Sequence, residues 1–130
     1  MEFPEDVRYT KDHEWLRLEG AEAVVGITDF AQDALGDVVF VELPTVGATL
    51  TRGQTFGVVE SNKTVSDLFA PIGGRVVAVN TGLRDEPERV NDDPYGAGWM
   101  IRLSPTARDE VDTLLDANAY RAFVASEQPK

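Results

Sequence analysis

Short apolar runs rich in Val, Phe and Leu recur along this chain at positions 15–18, 23–27, 38–43, 54–59, 65–70, 75–79 and 99–103, with Gly, Pro or Asp between them. Even spacing of short strands between turn residues is the pattern of a β-sandwich or flattened barrel, so the chain is expected to be mainly β. Two stretches depart from it. At positions 28–35, a capping-type Asp29 with Gln32 three residues on, apolar Phe30, Ala31, Ala34 and Leu35, and a stopping Gly36 predict a short helix. In the last quarter, Ser104-Pro105 reads as a cap followed by proline at the first helical position, with Val111, Leu114 and Leu115 at helical spacing. After a break near Asn118, Tyr120, Phe123 and Val124 predict a second short helix docked on the sheet, and residues after Ser126 are expected to fray.

A chain of 130 residues with 42% hydrophobic content suits one compact domain over 1–130, with a core at about 22–103 and a helical extension at about 105–126. The segments 38–60 and 74–103 each run from a valine-rich strand through a turn to a glycine-preceded strand. Such a repeat would let two pseudo-symmetric sheets close over one core that neither could bury alone.

Composition removes several function classes. The formal charge of −11 argues against binding a nucleic-acid backbone. The absence of cysteine removes disulfides, thiolate metal sites and thiol nucleophiles. His13 is the only histidine, too few for the commoner metal sites, and it reads as a structural residue bonded to backbone. Trp15 and Trp99 read as core packing. The leading residues show no targeting pattern and no apolar run approaches a membrane span, so a soluble cytoplasmic protein without membrane contact is expected.

The most informative segment is Gly57-Val58-Val59-Glu60-Ser61-Asn62-Lys63-Thr64-Val65-Ser66-Asp67-Leu68, two strand-like flanks around a polar centre. It reads as a hairpin whose tip holds Lys63 outward, with Asn62 supplying the left-handed conformation a tight turn requires. The other two lysines, Lys11 and Lys130, lie in a leading segment and at the terminus. An outward lysine at a turn is a good acylation target.

Four ordered stretches carry a resemblance that extends over nearly the whole chain. Glu60-Ser61-Asn62-Lys63-Thr64-Val65-Ser66-Asp67 resembles the lipoylation motif of the glycine cleavage H proteins. Tyr9-Thr10-Lys11-Asp12-His13-Glu14-Trp15 is similar to the leading segment of that family, and Gly26-Ile27-Thr28-Asp29-Phe30-Ala31-Gln32 with Leu35-Gly36-Asp37 resembles its first helix. Val90-Asn91-Asp92-Asp93-Pro94-Tyr95-Gly96-Ala97-Gly98-Trp99 resembles its late loop. Asn62 and Thr64 depart from the small or aliphatic residues of the commonest motif. The resemblance implies a lipoyl-domain-like fold and lipoate in amide linkage on Lys63. It implies a non-catalytic carrier in glycine catabolism, moving the aminomethyl group of glycine from a pyridoxal-phosphate glycine decarboxylase (P protein) to an aminomethyltransferase (T protein). Electrons would pass to dihydrolipoamide dehydrogenase (L protein), and lipoate-attaching enzymes would be further partners. Glu14 and Asp67 match family positions bordering the groove where the loaded arm rests, and a carboxylate there would face a cationic amine.

Alternatives differ in class. Biotin carriers usually flank the lysine with methionine, and dehydrogenase lipoyl modules are usually about eighty residues on flexible linkers, neither of which this chain matches. An H-like protein that relays lipoate to 2-oxoacid dehydrogenases is the alternative carrier role. A small hydrolase using Glu14, Asp67 and His13 is the enzymatic alternative, without a phosphate loop, nucleophile elbow or metal cluster to support it.

Overall fold

The computed structural model describes residues 1–127 and is built chiefly of antiparallel strands. In chain order these are β1 (Arg8–Tyr9), β2 (Glu14–Glu19), β3 (Glu22–Ile27), α1 (Asp29–Leu35), β4 (Val38–Glu42), β5 (Thr49–Leu50), β6 (Thr55–Ser61), β7 (Val65–Phe69) and β8 (Gly74–Val79). After a 3₁₀ turn at Thr81–Arg84 come α2 (Arg89–Asp92), β9 (Ile101–Pro105), a second 3₁₀ segment at Arg108–Thr113 and α3 (Ala117–Glu127). One sheet has the order β1-β2-β3-β9-β8-β5 and the other β4-β6-β7. They face each other as a flattened sandwich, not a closed barrel, and they are unequal in width. The repeat persists in the pairing: β4 with β6 and β8 with β9 are antiparallel ladders that each carry one register shift.

The alternation along β2 and β3 shows why the sheet is covered on both sides. Leu16, Val25 and Ile27 enter the core between the sheets, where they meet Val41, Val59, Leu68, Val76 and Ile101. Trp15 and Val24 point the other way, into a second cluster with Tyr9, Ala117, Tyr120 and Val124. Ala117, Tyr120 and Val124 form one stripe of α3, so this helix closes the outer face of the β2–β3 ladder. Tyr9 and Tyr120 stack with ring centroids 4.3 Å apart. Trp15 is fully buried there and its Nε1 donates to Pro94 O.

Three expectations change. Ser104 and Pro105 do not start a helix. They end β9, paired with Arg75 and Gly74, because extending the ladder satisfies backbone groups that a helix start would leave open. The chain then enters the 3₁₀ segment Arg108–Thr113, and the longer helix is α3, whose start Asp116 caps by accepting from Ala119 N. The cap of α1 is Thr28 rather than Asp29. Thr28 Oγ1 accepts from Ala31 N, while Asp29 stands in the first turn and accepts from Gln32 Nε2. Ser126 and Glu127 are helical, and the rest of the expected frayed end lies outside the described residues.

Candidate functional site

Lys63 stands at the tip of the β6–β7 hairpin and is exposed. The turn is closed by Ser61, not by a left-handed Asn62: among the described residues only His13 among the non-glycines has positive φ. Ser61 Oγ accepts from the backbone N–H groups of Lys63 and Thr64, both at 3.1 Å, and Ser61 N donates to Thr64 O at 2.8 Å. A hydroxyl that bonds the backbone two and three residues ahead makes the turn without demanding φ > 0, which is why Asn62 keeps an ordinary conformation. Asn62 N in turn donates to Asp37 O, tying the tip to the segment after α1.

That segment is itself fixed. Asn91 Nδ2 donates to Gln32 Oε1 and Gly36 O, and Asn91 Oδ1 accepts from Val38 N, so one side chain joins the end of α1 to the start of β4. Gly36 sits at φ 83°, and a Cβ there would lie 2.9 Å from Lys63 Cε. The lysine stem therefore lies across a bare backbone. Gly36→Ala is expected to lower the urea midpoint by an amount worth about 1 kcal/mol, chiefly from backbone strain, since the flexible lysine can move away. An unchanged midpoint would mean that the segment relaxes out of its left-handed conformation at no cost.

From the hairpin a groove of about 330 Å³ runs between α1 and β7 toward the start of β2. Phe30, Ala31, Ala34 and Leu35 of α1 form one wall, and Thr64 to Leu68 the other. His13 and Glu14 close its end, with Ile27 and Val59 also lining it. Asp67 stands exposed on the rim. Lys63 lies beside the groove at its hairpin end, next to the lining residue Thr64.

Glu14 is 2% exposed. Its Oε1 accepts from Thr10 Oγ1 at 2.8 Å and its Oε2 from Phe69 N at 3.3 Å, so it joins the turn before β2 to the end of β7. Burial pushes its carboxyl up to about 8, against the pull of those two hydrogen bonds. Burial in this apolar setting thus favours the neutral, protonated form of the carboxyl.

The structure thus brings Glu14 and Asp67 onto one groove whose hairpin end is next to Lys63. His13 is structural, but its ring is held by side chains rather than by backbone: Nδ1 lies 2.8 Å from Tyr120 Oη and Nε2 3.0 Å from Glu127 Oε1. Sequence reasoning missed Thr10, whose spacing of four from Glu14 was the available signal, and Tyr120, for which no local signal exists. Among the described residues no group of three or more His, Cys, Asp and Glu side chains is placed to hold a metal ion. No helix among them is long and apolar enough to cross a membrane.

The family model described as Glycine cleavage H-protein matches residues 7–127. The chain belongs to the glycine cleavage H-protein family. A glycine cleavage system H protein of Anaeromyxobacter sp. (strain K) is 57% identical over 128 residues, covering 98% of this chain and all of the relative. One from Magnetococcus marinus is 60% identical over 124 residues, covering 95% of this chain and 89% of the relative. The crystal structure of a glycine cleavage system H protein from Mycobacterium marinum superposes with a TM-score of 0.86 at 48% identity, covering 94% of this chain and 98% of that one. The H-protein fold seen there is the unequal sandwich described above.

Proposed function

We propose that this chain is the non-catalytic, cytoplasmic lipoyl carrier of a glycine cleavage system, with lipoate in amide linkage to Lys63 Nζ. The observation that carries the reading is an exposed lysine on a braced hairpin tip, next to an apolar groove that ends in a buried carboxyl. The residues fit the group. Lys63 is free of the core for acylation, and the α1 wall of Phe30, Ala31, Ala34 and Leu35 suits an acyl chain. When bound, lipoate supplies the dithiolane that accepts the aminomethyl unit and electrons.

The chain's own residues do the rest. Ser61 and Asp37 hold the tip so that Lys63 presents its amine at a fixed place. The apolar walls exclude water from whatever lies in the groove. Glu14 meets an incoming amine by passing it the proton of its carboxyl, and the resulting ammonium–carboxylate hydrogen bond is worth more in this buried setting than in water. Asp67 adds negative charge at the open side.

The partners proposed are the glycine decarboxylase, the aminomethyltransferase, dihydrolipoamide dehydrogenase and the lipoate-attaching enzymes. Beside the tip, Phe40, Glu60 and Val65 lie in one register across β4, β6 and β7, and all three are exposed. A small apolar patch with carboxylates beside it suits brief contacts with basic-rimmed entrances, the tethered arm supplying local concentration. Intact-mass measurement of the native protein tests the core of the proposal. The expected result is the gain of one lipoyl group, mapped by peptide analysis to Lys63. Native material bare at Lys63 in a cell with working lipoate attachment would refute it.

A further inference from the structure

The groove is framed by the His13–Glu14 turn and by α1, which beyond the ends of β2 and β3 share one backbone hydrogen bond, Thr28 N to His13 O, and one hydroxyl joins them a second time from behind. Tyr120 Oη, on α3, lies 2.7 Å from Thr28 Oγ1 and 2.8 Å from His13 Nδ1. Thr28 caps α1, which forms the apolar wall, and His13 precedes Glu14, which closes the end. His13 holds φ 70°, a conformation that needs support from its surroundings. That support is visible: its carbonyl accepts from Thr28 N, and its ring lies 4.8 Å from Phe30.

The hydrogen bonds form one connected chain: Ala31 N donates to Thr28 Oγ1, Thr28 Oγ1 pairs with Tyr120 Oη, Tyr120 Oη with His13 Nδ1, and His13 Nε2 with the Glu127 carboxylate. Burial raises the Tyr120 hydroxyl well above the ordinary range, so it stays a donor. Tyr120 does not line the groove. Resting on the reading that the groove shelters the arm of Lys63, we propose that Tyr120 is a positioning residue. Its hydroxyl, docked with α3, sets the spacing of the His13–Glu14 turn from α1 and thereby how tightly the groove closes on the carried group.

Tyr120→Phe removes the hydroxyl and keeps the ring stacked on Tyr9, so the fold should persist by near-ultraviolet circular dichroism. Two readouts then report on the groove. In the unmodified chain, a ¹³C NMR titration of the Glu14 side chain should move down toward the ordinary carboxylate range, because a loosened wall admits water. In the lipoylated chain loaded chemically with aminomethyl cargo, spontaneous loss of that cargo should rise about fivefold, the scale of one lost neutral hydrogen bond. General loss of stability would not move the Glu14 midpoint, so the titration separates positioning from a merely structural role. Glu127→Ala, at the exposed end of the chain of bonds, is the second variant should Tyr120→Phe fail to fold, and it should shift both readouts in the same direction. Native-like folded protein with the Glu14 titration and cargo loss both unchanged overturns the inference. A bare Lys63 would defeat the attachment reading alone, because the titration needs no cofactor and still decides what Tyr120 does.

Discussion

Lys63→Arg will remain folded and will gain no lipoyl group when offered lipoate and a competent attaching enzyme. Position 63 is exposed on a turn whose closure depends on Ser61 Oγ and Asp37 O, neither of which involves the lysine side chain. An exposed substitution away from caps and core stays within about 0.5 kcal/mol of wild type, so the urea midpoint should barely move. The stem crosses Gly36 without displacing anything, and arginine can take the same path. The guanidinium keeps the positive charge but not an acylable amine, so charge is controlled while chemistry is removed. Intact mass after the attachment reaction reads the first outcome and the urea midpoint the second. A Lys63→Arg chain that still gained one lipoyl mass would move attachment elsewhere, with Lys11 the other exposed lysine among the described residues. Collapse of the fold would show that Lys63 is a structural residue.

Much of this architecture was legible because burial on a sheet imposes a local signature. The runs at 23–27 and 75–79 became β3 and β8 within a residue or so, and the polar centre at 61–64 became a hairpin tip. Where two local readings competed, neighbours distant in the chain decided. Ser104-Pro105 has the chemistry of a helix start, yet pairing with Arg75 and Gly74 extends β9 through it. Asn62 has the chemistry of a left-handed turn, yet the hydroxyl of Ser61 makes that conformation unnecessary. The site was legible in part. Resemblance pointed to Glu14 and Asp67, but nothing local shows that Phe69 N, 55 positions on, donates to Glu14. The contacts of Tyr120 with Thr28 and His13 span 92 and 107 positions, and distances of that kind are set by how α3 docks on the sheet.

Glu14 should also tie stability to pH in a direction opposite to that of most carboxylates. In the unfolded chain its carboxyl ionises at its ordinary value of 4.5, whereas burial holds the folded one up to about 8. Between these values the native state binds a proton that the unfolded state has released. The stability this residue contributes is therefore complete below about 4.5 and is lost as pH rises through about 8. The full span is worth at most about 5 kcal/mol, on the scale of 1.4 kcal/mol per pH unit of displacement. Solvent screening does little to reduce it at 2% exposure. Glu14→Gln is neutral throughout, and the other titrating groups are common to both chains. Urea unfolding from pH 5 to pH 9 should then show wild type losing stability relative to Glu14→Gln as pH rises, most steeply between about 5.5 and 7, where the two states differ by nearly a full proton. Parallel curves would mean that the carboxyl is ionised in its buried site at neutral pH. A cation seated beside Glu14 would favour its ionised form and draw the folded value back down, so the loaded carrier should show a shallower decline than the empty one. On the function proposed above, the carboxyl that weakens the empty protein in mild alkali would be the group that retains the cargo, which would be a reason for a carrier to keep an acid in so apolar a place.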